Sequence, residues 1–68
     1  MRSWAVADVE AFFEGKDAGA LGRRLASNSV TGMDLLQFTP SLLERDLNMN
    51  AFSSRKVCLV RDAFLAGQ

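Results

Sequence analysis

The chain has 68 residues, 49% of them hydrophobic, and its eight Lys and Arg balance eight Asp and Glu. That composition excludes a disordered tail and predicts one small domain over residues 1–68, of a size that buries only about 60% of its unfolded surface. A neutral balance speaks against a polyanion binder, and no apolar run approaches the roughly 18 residues of a bilayer span.

Trp4 opens the ordered part, expected over about residues 4–66. Val6, Val9, Phe12 and Phe13 recur at helical spacing, with Asp8, Glu10 and Glu14 on the other side. They predict a first helix over residues 7–14, with Gly15 as its stop. Asp17 is placed to cap a second helix running to Ala26, in which Leu21 and Leu25 face inward and Gly22 is a weak point. Val30-Thr31-Gly32 reads as a tight connection, and residues 33–38 as one short helical turn carrying Leu35, Leu36 and Phe38.

Thr39-Pro40 marks a fourth start, with Thr at the cap and Pro at the first helical position. Leu42, Leu43 and Leu47 supply its apolar face, Asn48 closes it, and residues 49–52 are expected to link onward. The longest helix follows over residues 53–66, with Ser53 or Ser54 as its cap. Val57, Val60 and Phe64 mark one face, while Leu59, Ala63 and Ala66 lie opposite, so cover is expected on more than one side. The fold class is all-α: a compact five-helix bundle, four short helices around a long C-terminal one. Its core is read as Val9, Phe12, Phe13, Leu25, Val30, Leu35, Leu36, Leu43, Leu47, Met49, Val57, Val60 and Phe64, with Trp4 pinning the N-terminus.

Catalytic chemistry finds few candidates. With no histidine, no tyrosine and a lone Cys58 inside a helical core pattern, there is no Cys–His dyad and no credible zinc set. The glycines form no phosphate loop. Glu44 and Asp46 stand at i, i+2 and do not face each other on a helix. The reading is non-enzymatic, without cofactor or metal. One cysteine forms no internal disulfide and suits a reducing compartment.

The order of residues is more specific than the composition. Trp4, Asp8-Val9, Phe12-Phe13, Leu25, Val30-Thr31-Gly32, Leu35-Leu36, Phe38-Thr39, Leu43, Leu47-Asn48-Met49 and Arg55-Lys56-Val57 follow one another at spacings that resemble those of the SAM (sterile alpha motif) family. The resemblance covers nearly the whole chain, and from Gly32 to Met49 it is similar to polyhomeotic-type members. Departures are Leu21 where Tyr is common, Thr31 where Asp is common, and Phe52 where many members have Gly. The resemblance implies a five-helix interaction module, a scaffold in signalling, working inside the cell in the cytoplasm or nucleus.

Charge is unevenly placed along this neutral chain. Asp34, Glu44 and Asp46 face Arg45 alone in the middle, whereas Arg55, Lys56 and Arg61 face Asp62 alone in the last helix. The family resemblance implies that an acidic mid-loop surface of one domain takes the fifth-helix N-terminus, the end-helix surface, of the next. On that reading Asp34, Glu44 and Asp46 form the mid-loop side, and Phe52, Arg55 and Lys56 the end-helix side, with Phe52 as apolar anchor. The partner is then a second copy, head to tail, or another SAM protein. Phe52 is equally readable as a core residue tucked under the last helix. The alternative function, implied by other members, is RNA-hairpin binding through Arg55, Lys56 and Arg61, extended by Arg23 and Arg24.

Overall fold

The computed structural model describes residues 1–67, and among them are five helices and no strand. They are α1 (Val6–Glu14), α2 (Gly19–Ser27), α3 (Gly32–Gln37), α4 (Pro40–Asp46) and α5 (Ala51–Ala66). The chain divides into two compact units: Met1–Gln37, holding α1 to α3, and the part from Phe38 onward, holding α4 and α5.

In the first unit α1 packs along α2 and meets α3. Val9, Phe13, Leu25 and Leu35 are fully buried, and Ala18 and Val30 nearly so. Gly22, a weak point by helix propensity, is what lets α1 and α2 approach. A Cβ there would stand 2.9 Å from the Glu10 carbonyl oxygen and 3.0 Å from Phe13 Cβ. The half-buried Trp4 ring lies 5.1 Å from Phe12, which meets Phe13 edge-on at 5.2 Å. Lys16 Nζ sits 5.8 Å from the Phe12 ring centre, a cation–π distance. The N-terminal segment is tied down by the Gly32 N–H, which donates to the Trp4 carbonyl at 2.9 Å.

Gly15 stops α1 as expected, and the turns that follow three of the helices share one device. Gly15 has ordinary right-handed helical angles, and the left-handed residues are Asp17, Ser29 and Asn48, with φ of 57°, 56° and 56°. Each precedes a buried residue whose N–H turns back to a helical carbonyl: Ala18 to Phe13, Val30 to Leu25 and Met49 to Leu43, at 2.9, 3.1 and 3.3 Å. Asp17 therefore turns the chain after α1, whose C-cap is Gly15 as expected, and does not cap α2. Short polar residues tolerate this conformation better than most non-glycines, and the reward is an apolar side chain delivered to the core.

Four helix starts are built from side chains, three of them before the last helix. Asp8 accepts the Ala5 N–H at 2.9 Å. Thr31 and Asp34 reciprocate: the Asp34 N–H donates to Thr31 Oγ1 at 3.3 Å, and the Thr31 N–H to Asp34 Oδ2 at 3.2 Å. Thr39 caps α4 as expected, accepting the Leu42 N–H at 3.3 Å with Pro40 at the first helical position.

The fifth helix departs from expectation at its start. Its cap is Asn50, whose Oδ1 accepts the Ser53 N–H at 2.7 Å, so Ala51 and Phe52 belong to the helix rather than to a link. Neither Ser53 nor Ser54 caps it. Asn is as strong a cap as Ser, and it lies three residues before an N–H that needs an acceptor.

In the second unit α4 packs against α5, and Leu43, Leu47, Met49, Val57 and Cys58 are buried. Val60 and Phe64 are half-buried, as Phe12 and Leu36 are in the first unit. The second face of α5 is not covered: Leu59, Ala63 and Ala66 are exposed. The buried residues of α5, Ser54, Val57 and Cys58, make a single stripe, and one stripe is what a helix on a domain surface needs.

Ser54 is fully buried, and among the described residues its hydroxyl has no hydrogen-bond partner. An unpaired buried hydroxyl costs about 1–3 kcal/mol. Ser54→Ala removes the group, keeps the shape close and improves helix propensity. It is expected to stabilise the fold by about 1 kcal/mol, read as a higher urea midpoint at unchanged slope. A lower midpoint would mean that the hydroxyl has a partner, such as a buried water.

Candidate interaction surfaces

On α5, positions 52, 55, 56 and 59 fall on one face. Phe52 and Leu59 are each 68% exposed, which decides against a core role for Phe52. With Arg55 and Lys56 they line one surface depression of about 320 Å³. The structure thus brings together the three residues expected for the end-helix side and adds Leu59, which sequence reading had expected to be covered. The signal for Leu59 was present: once the helix starts at Ala51, Leu59 is two turns after Phe52 on the same stripe.

A second depression of about 330 Å³ adjoins it, lined by Thr39 and Pro40 from the start of α4 and by Arg55, Cys58, Leu59 and Asp62 among others from α5. Arg61 also borders it, but is used internally. Its side chain is only 12% exposed, Nε lies 2.8 Å from Asp62 Oδ1, and Nη1 donates to the Phe38 carbonyl. Cys58 Sγ is 3.8 Å from that carbonyl oxygen, and burial pushes the thiol pKa up. It stays protonated at neutral pH and packs as a small apolar group.

The acidic residues are spread over both units. Asp34 is exposed on α3, its Oδ2 held at 3.2 Å by both the N–H and the hydroxyl of Thr31. Glu44 and Asp46 are exposed on α4, two residues apart. Arg45 Nε lies 2.9 Å from Asp46 Oδ1, and this hydrogen bond holds the Asp46 carboxyl below its usual value. Part of the α4 negative charge is therefore compensated on the spot. Met33 is 41% exposed beside Asp34.

Among the described residues no cluster of three or more His, Cys, Asp or Glu side chains is arranged to hold a metal ion. No described helix is long and apolar enough to cross a membrane.

Five helices in this order, with a long last helix carrying a basic and apolar exposed face, define an all-α fold. No protein-family model matches the chain, and no curated protein matches it. Among solved structures, a chain in the crystal structure of the Scm-SAM and Sfmbt-SAM heterodimer is similar, with TM-score 0.83 and 25% sequence identity. The match covers 96% of this chain and 93% of that one. The chain has the fold of a SAM domain.

Proposed function

We propose that this SAM domain is a non-enzymatic protein–protein interaction module that joins a second SAM domain, its own copy or another protein's, head to tail. The observation that carries the reading is the exposed Phe52, Arg55, Lys56 and Leu59 face at the start of α5. A solvent-facing phenylalanine and leucine between two cations is a small apolar anchor with a charged surround, the anatomy of an interface hot spot. The helix N-terminus adds partial positive charge, and its complement is the acidic set Asp34, Glu44 and Asp46. The similar structure pairs two SAM domains, which supports the same class of partner here.

Because the two surfaces differ, the contact is heterologous, and a rotation that does not close extends it into an open filament. Arg55→Glu/Lys56→Glu is expected to weaken association at least about a hundredfold, since like charges then meet across the interface at several kcal/mol. Light scattering against concentration, at low and moderate salt, reads this as mass that grows for wild type and stays monomeric for the variant. Glu44→Lys/Asp46→Lys mixed with that variant retains one intact interface and is expected to stop at a dimer. Unchanged mass growth in the Arg55/Lys56 variant would overturn the end-helix reading. RNA-hairpin binding draws less support, since Arg61 spends its guanidinium on Phe38 and Asp62.

A further inference from the structure

Thr39 and Pro40 start α4, and a threonine directly before a proline is also the acceptor pair of proline-directed protein kinases. Pro40 is the only proline, so the chain holds one such pair. Thr39 is exposed, stands outside the helices and has an extended backbone, φ −113° and ψ 164°, the conformation in which kinases take their acceptors. Its Oγ1 accepts the Leu42 N–H at 3.3 Å, which fixes where the hydroxyl stands. The depression between α4 and α5 is lined by Thr39 and Pro40 on one side and by Arg55 and Leu59 on the other. Two cations border it. Arg61 is committed to Asp62 and the Phe38 carbonyl, whereas exposed Arg55 has no hydrogen bond or ion pair among the described residues. Its one carboxylate, Asp62, is already compensated at 2.8 Å by Arg61.

We propose that Thr39 is a phosphorylation site, and that its phosphoryl group pairs with Arg55 of the same chain and switches the α5 face off. In the transfer, Thr39 Oγ1 attacks the γ-phosphorus of ATP and its proton passes to the base of the kinase. The bond to the β,γ-bridging oxygen breaks, and ADP leaves. The new group carries about −1.5 to −2 charge at neutral pH and three acceptor oxygens, which a guanidinium meets with two parallel N–H donors. Arg55 also lines the neighbouring depression with Phe52, Lys56 and Leu59. Pairing therefore withdraws one of the two cations of that face and brings its local charge to about zero. The site stands on the geometry of α4 and α5 alone. Its consequence for assembly rests on the SAM–SAM reading, to which it adds a regulator.

The test treats the folded chain with a proline-directed kinase and ATP, and locates phosphate by mass spectrometry. Wild type is expected to take one phosphate at Thr39. Thr39→Asn, which keeps a capping side chain, and Pro40→Ala, which keeps the acceptor, are expected to take none. No phosphate on Thr39, or equal uptake by Pro40→Ala, overturns the site. The phosphate is then titrated by phosphorus NMR in wild type and in Arg55→Gln. A nearby cation favours the dianion, so the wild-type phosphate is expected to titrate at lower pH than that of the variant. Identical titrations overturn the pairing with Arg55. In sedimentation against concentration, phosphorylation is expected to weaken self-association tenfold or more. If the phosphorylated chain assembles as before while Arg55→Glu/Lys56→Glu stays monomeric, the switch is overturned and the SAM–SAM reading stands. If unmodified wild type is monomeric at millimolar concentration, self-association fails as a reading and the switch on it is overturned too. The two titrations still decide the site.

Discussion

Gly32→Ala is expected to lower stability by about 2–3 kcal/mol, on the order of 10–20 °C in Tm for a domain of this length. The glycine is not there for a left-handed backbone, since no glycine among the described residues has positive φ. It is there for space. A Cβ at position 32 would lie 1.8 Å from the Met1 carbonyl oxygen and 2.8 Å from Trp4 Cβ, and backbone cannot yield as a flexible side chain tip would. The segment must lift away, breaking the bond from the Gly32 N–H to the Trp4 carbonyl and pulling Trp4 from Phe12. Trp4 is the only tryptophan, so its emission reports the event directly as a shift to the red. Removing residues 1–3 takes away the closest clash, and Gly32→Ala is then expected to cost much less. An equal cost in both backgrounds would show that the N-terminal segment is not the reason.

The second large effect separates two phenylalanines. Phe13 is fully buried, and truncating such a ring to Ala costs about 3–5 kcal/mol. Small domains hold only about 5–15 kcal/mol in total, toward the low end at this length, so Phe13→Ala is expected to populate the unfolded state visibly without denaturant. Phe52→Ala removes the same atoms from a side chain that is 68% exposed, and is expected to leave the urea midpoint within about 0.5 kcal/mol of wild type. Its cost appears in assembly instead, as loss of concentration-dependent mass. A Phe52→Ala chain that unfolds early would mean that its ring is a packing residue. Full assembly with unchanged stability would remove it from the interface.

Most of the fold was legible in the residue pattern. Val9, Phe13, Leu25, Val30, Leu35, Leu43, Leu47, Met49 and Val57 are buried as their spacing predicts, because helical periodicity reports the face that must leave water. Thr39-Pro40 worked because both residues act through local backbone chemistry. Expectations failed where two local signals competed. Asn50, Ser53 and Ser54 all make good caps, and only the geometry of the chain arriving from Met49 selects Asn50. Asp17 was expected to cap α2, but beyond the Gly15 stop of α1 it takes the left-handed angle because Ala18 must turn inward.

The candidate surface was legible in its charges and only partly in its apolar residues. Arg55, Lys56, Asp34, Glu44 and Asp46 are exposed, as charged side chains of a small domain usually are. Whether an apolar side chain on a short or amphipathic helix is core or surface depends on which direction its neighbours arrive from. Phe52 was open between two readings, and Leu59 was expected to be covered.

By itself, then, the sequence determined the helical class, the order of elements, most of the core and the sign of each charged surface. These depend on interactions within a few residues or on the periodicity of one helix. Tertiary structure alone decided that Gly22 and Gly32 are spacers, that Arg61 is committed to Phe38, and that Phe52, Leu59 and Met33 are left facing water. Each of those outcomes is set by a close approach, or the lack of one, between segments distant in the chain, and no local pattern encodes that distance.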